Sequence, residues 1–227
     1  MSVKLKEMDS KLCVDNVQEI FYNVDFDTYI ALSRCSKSTQ EISLNYLYTI
    51  PPNKCELMIR LGRFREFVIN RTIYRLDLSF ILGFTDVSML GGLHYIDLSG
   101  TEVEDVSALG GLHSICLSGT DVTDVSMLGY CHTVDVSSTR VKDVSMLGYC
   151  HSVFARGSDV TDVSMLGYCH TVDVSNTGVE DVSMLGYCHT VLLRGSNVVD
   201  VSNLSEHNRT LNGYVNWDTE LDTFFDK

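Results

Sequence analysis

The sequence predicts an α/β chain: a solenoid with one parallel β-sheet, a non-helical opposite side, and a small three-helix unit in front. Three observations carry this. The phrase D-V-S-M-L, or a near copy, begins at Asp86, Asp105, Asp124, Asp143, Asp162, Asp181 and Asp200, always 19 residues apart. Inside each unit apolar residues alternate with polar ones, the period of a half-buried strand. The only two prolines, Pro51 and Pro52, are adjacent and punctuate the chain ahead of the repeats.

A fixed period of this length means stacked units, each unable to bury its own apolar face. One unit reads C-H-T-V-D-V-S-S-T-R-V-K-D-V-S-M-L-G-Y from Cys131 to Tyr149. Cys131, Val134, Val136, Thr139 and Val141 fall on the L-x-x-L-x-L-x-x-N-x-L pattern, and Leu93, Ile96, Leu98, Thr101 and Val103 do so with a true leucine in the first place. Over residues 73–211 the chain thus resembles the leucine-rich repeats, with about seven copies in 74–211. The phrase V-x-D-V-S-x-L is similar to that of the internalins, shortened by a few residues.

The chain departs from that pattern twice. Nineteen residues is one below the usual lower limit of ~20. Too little chain then remains for an α-helix on the convex side, and a turn or 3₁₀ piece is expected at D-V-S-M-L. The asparagine place holds Thr101, Thr120, Thr139, Ser158, Thr177 and Ser196, where a hydroxyl can donate one hydrogen bond. Two columns should point into the core: Ile96, Ile115, Val134, Val153, Val172 and Val191, then Leu98, Leu117, Val136, Ala155, Val174 and Leu193. The aspartate opening each D-V-S-M-L suits a cap that accepts backbone N–H groups of the following turn. A calcium ladder is the other reading, but such repeats carry several Gly and Asp per unit, and these do not.

Cys131, Cys150, Cys169 and Cys188 fill the column that Leu93 and Leu112 fill earlier. A residue that exchanges with leucine reads as a small buried hydrophobe. The competing reading is a metal stripe, because His132, His151, His170 and His189 follow directly. Consecutive strand residues face opposite ways, so one Cys and its own His do not share an ion; no metal is expected. Six of seven histidines are in register, either as a row weakening the array in acid or as turn residues bonded to the neighbouring coil.

Two strand positions are expected to be exposed on the concave face. One holds Asp97, Cys116, Asp135, Phe154, Asp173 and Leu192, the other Ser99, Ser118, Ser137, Arg156, Ser175 and Arg194. Residues 130–167 and 168–205 are near copies, so an Asp/Ser strand alternates with an apolar/Arg strand. Tyr95, Asp97, Asp135, Phe154, Arg156, Asp173, Leu192 and Arg194 form the candidate protein-binding face. Phe, Leu and Arg there would serve as anchors; alternatively Arg156 and Arg194 only neutralise the aspartates beside them.

Residues 11–48 read as three short helices. Asp15 with Gln18 opens the first, Asp27 the second, and Ser38 with Glu41 a third over 42–48. The stretch L-C-V-D-N-V-Q-E-I-F at 12–21, with A-L-S-R-C-S-K at 31–37, resembles an F-box. Its proline is replaced by Cys13 and its later tryptophan is missing. The resemblance implies docking of a Skp-type adaptor of a cullin–RING ubiquitin ligase through Leu12, Cys13, Val17, Ile20, Phe21, Ile30 and Leu32, with the repeats holding a protein target. The other reading is a lid over the first coil. Residues 53–72, with Leu61, Phe64, Phe67 and Val68, look like such a cap, and 213–227, with Tyr214, Trp217, Phe224 and Phe225, like the other. The expected organisation is therefore 1–50 helical unit, 51–73 linker and cap, 74–211 solenoid, 212–227 C-terminal cap.

The charge of −13 is uneven: residues 1–73 carry 10 Lys+Arg against 9 Asp+Glu, residues 74–227 carry 7 against 21. The acidic part repels phosphate backbones, so nucleic acid is not an expected partner. Neither a signal-peptide core in 1–11 nor a run of 18 apolar residues is present, and a monomer in a reducing cytoplasm, away from membranes, is expected. Near-identical repeats behind such a unit are similar to repeat families of large DNA viruses of amoebae, which would make that the host cytoplasm. With no nucleophile constellation or paired carboxylates, neither an enzyme nor a cofactor is expected.

Overall fold

The structure, a computed structural model, describes residues 47–50, 52–69 and 73–204. Each coil contributes one short strand, and parallel in-register pairing joins them into an eight-stranded sheet in simple chain order, β1 to β8. The strands are β1 (Leu47–Ile50), β2 (Ile73–Asp77), β3 (Tyr95–Asp97), β4 (Ser114–Cys116), β5 (Thr133–Asp135), β6 (Ser152–Phe154), β7 (Thr171–Asp173) and β8 (Thr190–Leu192). From β3 onward the register advances one repeat per strand, Val134 opposite Ile115 and Val153 opposite Val134.

The sheet begins earlier than the repeat. Leu47 and Tyr48 were expected to end the third helix over 42–48; instead Leu47–Ile50 is a strand, with Leu47 opposite Ile73 and Thr49 opposite Arg75. The run L-Y-T-I is rich in β-branched and aromatic residues, and parallel pairing with β2 outweighs a local cap. This first coil spans 26 residues (73 minus 47), which leaves room for two helices, α1 (Pro52–Arg60) and α2 (Phe64–Ile69). They close the end of the core with Cys55, Phe64 and Val68, and Phe64 meets Phe84 edge-on at 5.7 Å. Leu61, expected in this cap, is exposed: it lies in the turn between the helices.

In the 19-residue coils the side opposite the sheet is a 3₁₀ turn, at Ser107–Leu109, Ser126–Leu128, Ser145–Tyr149, Ser164–Leu166 and Ser183–Tyr187. Three residues per turn dictates what each position does. In V-S-M-L-G-Y-C, every third residue faces inward: Val144, Leu147 and Cys150 are buried. The glycine lies against the next coil: a Cβ on Gly167 would sit 2.5 Å from the carbonyl oxygen of Met184, so only glycine lets coils stack this closely. The third set, Met146 and Tyr149, is thrown outward.

One continuous core runs from Cys55 to Leu204. Both expected inward columns line it, Ile96 through Val191 and Leu98 through Leu193, all nearly or fully buried. The hydroxyl column bonds within its own coil rather than along the spine. Thr101 Oγ1 donates to the Leu98 carbonyl at 2.6 Å, Thr139 to Val136 at 2.6 Å and Ser158 to Ala155 at 2.6 Å. A hydroxyl is too short to bridge to the next coil as an asparagine amide does. The opening aspartates cap as expected: Asp105 Oδ1 accepts the Ser107 N–H at 2.9 Å and Asp143 Oδ1 that of Ser145 at 2.9 Å. No helix among the described residues is long and apolar enough to cross a membrane.

Candidate functional site

On the strand face, the column expected to be open is closed. Asp97 is half-buried, while Tyr95, Asp135, Phe154, Asp173 and Leu192 are buried, Phe154 to 4% and Asp135 to 5%. Same-row side chains stand one strand apart, about 4.8 Å, so each is walled by its neighbours and they bond to one another. Ser99 Oγ lies 2.9 Å from Cys116 Sγ, which donates to Asp135 Oδ2 at 3.5 Å; the Arg75 guanidinium covers the Tyr95 ring at 4.2 Å. The carboxylates of Asp135 and Asp173 accept the N–H of Ser137 and Ser175 at 2.8 and 2.9 Å. Burial raises the carboxyl of Asp135 above its ordinary range, against the hydrogen bonds from Ser137 and Cys116. Of the eight candidate residues, only Arg156 and Arg194 are exposed. The adaptor set Leu12, Cys13, Val17, Ile20, Phe21, Ile30 and Leu32 lies outside the described residues, as do the first two expected helices, residues 42–46 of the expected third and the expected 213–227 cap.

The turn side is where apolar surface is open. Tyr130, Tyr149, Tyr168 and Tyr187 are 91, 86, 90 and 91% exposed, and Met127, Met146, Met165 and Met184 are 52–59% exposed. They form two adjacent rows, one Tyr and one Met per coil. Between them runs an open groove of about 620 Å³, lined by Tyr149, Met165, Tyr168, Met184, Tyr187 and Asn203 among others. Contiguous exposed apolar area of this kind marks interaction sites in soluble proteins, and Tyr and Met are enriched in interfaces. Sequence reasoning missed it. The available signal was apolar Met and Tyr repeating at 127, 146, 165, 184 and 130, 149, 168, 187, outside the strand's two-residue alternation.

Beside the groove stands an acidic row, Asp124, Asp143, Asp162 and Asp181, all exposed. Ser145 and Ser164 line the groove and the clefts of this row alike. The N–H and hydroxyl of the serine two residues on hold each carboxyl below the ordinary range, so the row is charged. The pairing open to such a carboxylate is visible at Asp86, which holds the same place two coils before Asp124. Asp86 gives Oδ1 to the Ser88 N–H at 3.0 Å and Oδ2 to the Arg65 guanidinium at 3.8 Å.

The cysteines and histidines build the coil edge. Cys131, Cys150, Cys169 and Cys188 are buried and form no disulfide. Three of their thiols donate one coil back, to the carbonyls of Leu128, Leu147 and Leu166 at 3.5–3.6 Å. The six in-register histidines, from His94 to His189, stack face to face, centroids 4.4–4.6 Å apart and planes within 14°. The Nδ1 atoms of His113, His132, His151, His170 and His189 meet the hydroxyl of the next residue, as in His113 with Ser114 at 2.9 Å, while their backbone N–H groups donate to the histidine carbonyl of the preceding coil, His113 to His94 at 2.9 Å. No group of three or more His, Cys, Asp or Glu among the described residues is placed to hold a metal ion.

No protein-family model and no curated protein matches the chain. Solved structures do. Internalin C2 from Listeria monocytogenes aligns with TM-score 0.56 at 17% identity, over 80% of this chain and 88% of that one. An internalin (inlF) from the same bacterium aligns at 0.48 and 14%, over 79% and 77%. A leucine-rich-repeat protein of Leptospira interrogans aligns at 0.49 and 14%, over 61% and 41%. With the in-register parallel sheet and the 3₁₀ turns, the likeness to internalin C2 establishes the fold: the chain folds as a leucine-rich-repeat solenoid.

Proposed function

We propose that this protein is a non-catalytic interaction scaffold that holds a protein target on its turn side. The carrying observation is the double row of Tyr130, Tyr149, Tyr168 and Tyr187 with Met127, Met146, Met165 and Met184, which leaves aromatic and thioether surface open along four consecutive coils. Such surface gains by being covered, and methionine adapts to varied partners. On the strand face, Arg156 and Arg194 supply further polar contacts; Tyr95, Asp97, Asp135, Phe154, Asp173 and Leu192 support the sheet instead.

The finer reading joins this scaffold to a ubiquitin ligase. Its support is the F-box-like stretch, with Leu12, Cys13, Val17, Ile20, Phe21, Ile30 and Leu32 contacting a Skp-type adaptor and the coils presenting the target. In that reading the protein works in the cytoplasm as a single chain, its thiols reduced. The alternative, in which the helices only close the solenoid, rests on the need of every solenoid for an end cap.

Capture from cell extract tests both levels. Tyr149→Ser with Tyr168→Ser should lose the target and keep the fold, because both side chains are exposed. Ile20→Asp with Leu32→Asp should lose a purified Skp-type adaptor while the target stays bound. Unchanged target capture by the tyrosine variant excludes the turn side. Absence of adaptor binding by the wild-type protein excludes the ligase role.

A further inference from the structure

The groove's chemistry points to its occupant, an inference that rests on the turn side being the contact surface. The groove is lined by side chains of the Tyr and Met rows, and the anionic row of Asp124, Asp143, Asp162 and Asp181 runs alongside it in clefts that share Ser145, Ser164 and Ser183 with it. These serines are exposed. The apolar and anionic rows both recur once per coil, so their contacts repeat in step, at roughly the 4.8 Å that separates neighbouring strands. Four tyrosines span about 14 Å, which roughly five residues of extended chain cross at ~3.3 Å each.

Charge decides the occupant. Each of these carboxylates holds the backbone of its turn through Oδ1 and not through its second oxygen, Oδ2. At Asp86 the chain itself fills that second oxygen with a guanidinium, that of Arg65 at 3.8 Å. In the coil of Asp124, a second arginine, Arg140, pairs with Oδ1 of Asp121 at 3.5 Å. Lys142 stands beside Asp143 in the cleft, and Glu180 beside Asp181 adds a further negative charge. Exposed tyrosine faces also attract Lys and Arg. A second copy of this chain would bring an equal acidic row, and a nucleic acid or anionic membrane is repelled by both.

We propose that the Tyr–Met groove binds a basic, extended segment of a partner protein, its Lys or Arg side chains on the Asp124–Asp181 row and its apolar side chains against Tyr149, Tyr168 and Tyr187. The partner's cations take the place that Arg65 takes at Asp86, and its hydrophobes exclude water from the tyrosine rings.

The test uses the full chain and three short fluorescent peptides in which leucine alternates with lysine, glutamine or glutamate, read by anisotropy. Asp143→Asn, Asp162→Asn and Asp181→Asn together remove charge yet keep the Oδ1 acceptor of each turn, so the fold is retained. The lysine peptide should bind, weaken by about tenfold in the triple asparagine variant, as three exposed ion pairs warrant, and weaken further as salt rises. The triple variant Tyr149→Ser, Tyr168→Ser, Tyr187→Ser should lose it. Equal binding of the lysine peptide by the asparagine variant, or no binding at all, overturns the basic-segment proposal. Tyrosine-dependent binding of the glutamine or glutamate peptide overturns it too, but leaves the turn side as the contact surface. Lysine-peptide binding that ignores the tyrosine variant sinks the contact surface itself.

Discussion

The thiol of Cys169 donates to the carbonyl oxygen of Leu147, one coil earlier, at 3.6 Å. That carbonyl already accepts the N–H of Cys150 at 3.0 Å, so the sulfur adds a weak second bond that ties two coils through a buried contact. Burial pushes the Cys169 and Cys150 thiols up to about 12. Both should therefore resist alkylation in the folded protein and react at once in denaturant, because the thiolate is the nucleophile. Mass spectrometry of modified peptides reads this directly. Cys169→Ala should cost about 1 kcal/mol, from a small cavity and a lost weak bond. Rapid native-state labelling of the column would contradict the packing.

Stacking distance is set by glycine. A Cβ on Gly167 would lie 2.5 Å from the Met184 carbonyl oxygen, whereas one on Gly92 meets nothing within 4 Å. Gly167→Ala should destabilise by about 1–3 kcal/mol, the range of overpacking, and Gly92→Ala should be near neutral. Urea unfolding of the two variants side by side measures the difference.

The hydroxyl column is a second internal support. Thr139 is buried and its Oγ1 donates to the Val136 carbonyl at 2.6 Å. Thr139→Val keeps the shape but leaves that buried acceptor short of a donor, at a cost of about 1–2 kcal/mol. Thr139→Ser, which keeps the donor, should retain most of the stability. Equal losses in the two variants would mean that the methyl, not the hydroxyl, matters.

Acid should loosen the coils through the histidine stack. Burial first, then the rings of His113 and His151 on either side, lower His132 to about 4, and His94 and His113 shift the same way. In the unfolded chain these groups titrate near 6.5. Between about pH 6.5 and 4 the unfolded chain binds more protons, so the contribution is fully present above about 6.5 and is lost as pH falls. The buried carboxyls of Asp97 and Asp135, raised by burial, act in the opposite sense, since the folded form holds their protons more readily. Urea midpoints should drop from about pH 7 to about pH 5, and His132→Gln should make that drop shallower. A drop of the same size in His132→Gln would assign it to other groups.

Much of this architecture is legible in the residues. A strand period of two placed Val134 and Val136 in the core, and a 19-residue repeat left no room for a convex α-helix. Exchange of Cys131 with Leu112 marked the thiol column as buried. What escaped follows from applying that period beyond the strand. Met146 and Tyr149 obey the three-residue period of a 3₁₀ turn, so they project outward although apolar. Asp135 alternates as an exposed residue should, yet ladder neighbours and the Ser137 N–H bury it. Leu47–Ile50 shows no repeat signature, and only its pairing with β2 reveals a strand.

The central claim, that a protein partner sits on the turn side, is tested most directly by site-specific photo-crosslinking. Tyr168→p-benzoylphenylalanine places the probe in the groove; Arg156→p-benzoylphenylalanine places it at an exposed position of the strand face. The captured partner should crosslink from position 168 and not from 156. Crosslinking from 156 alone would contradict the account.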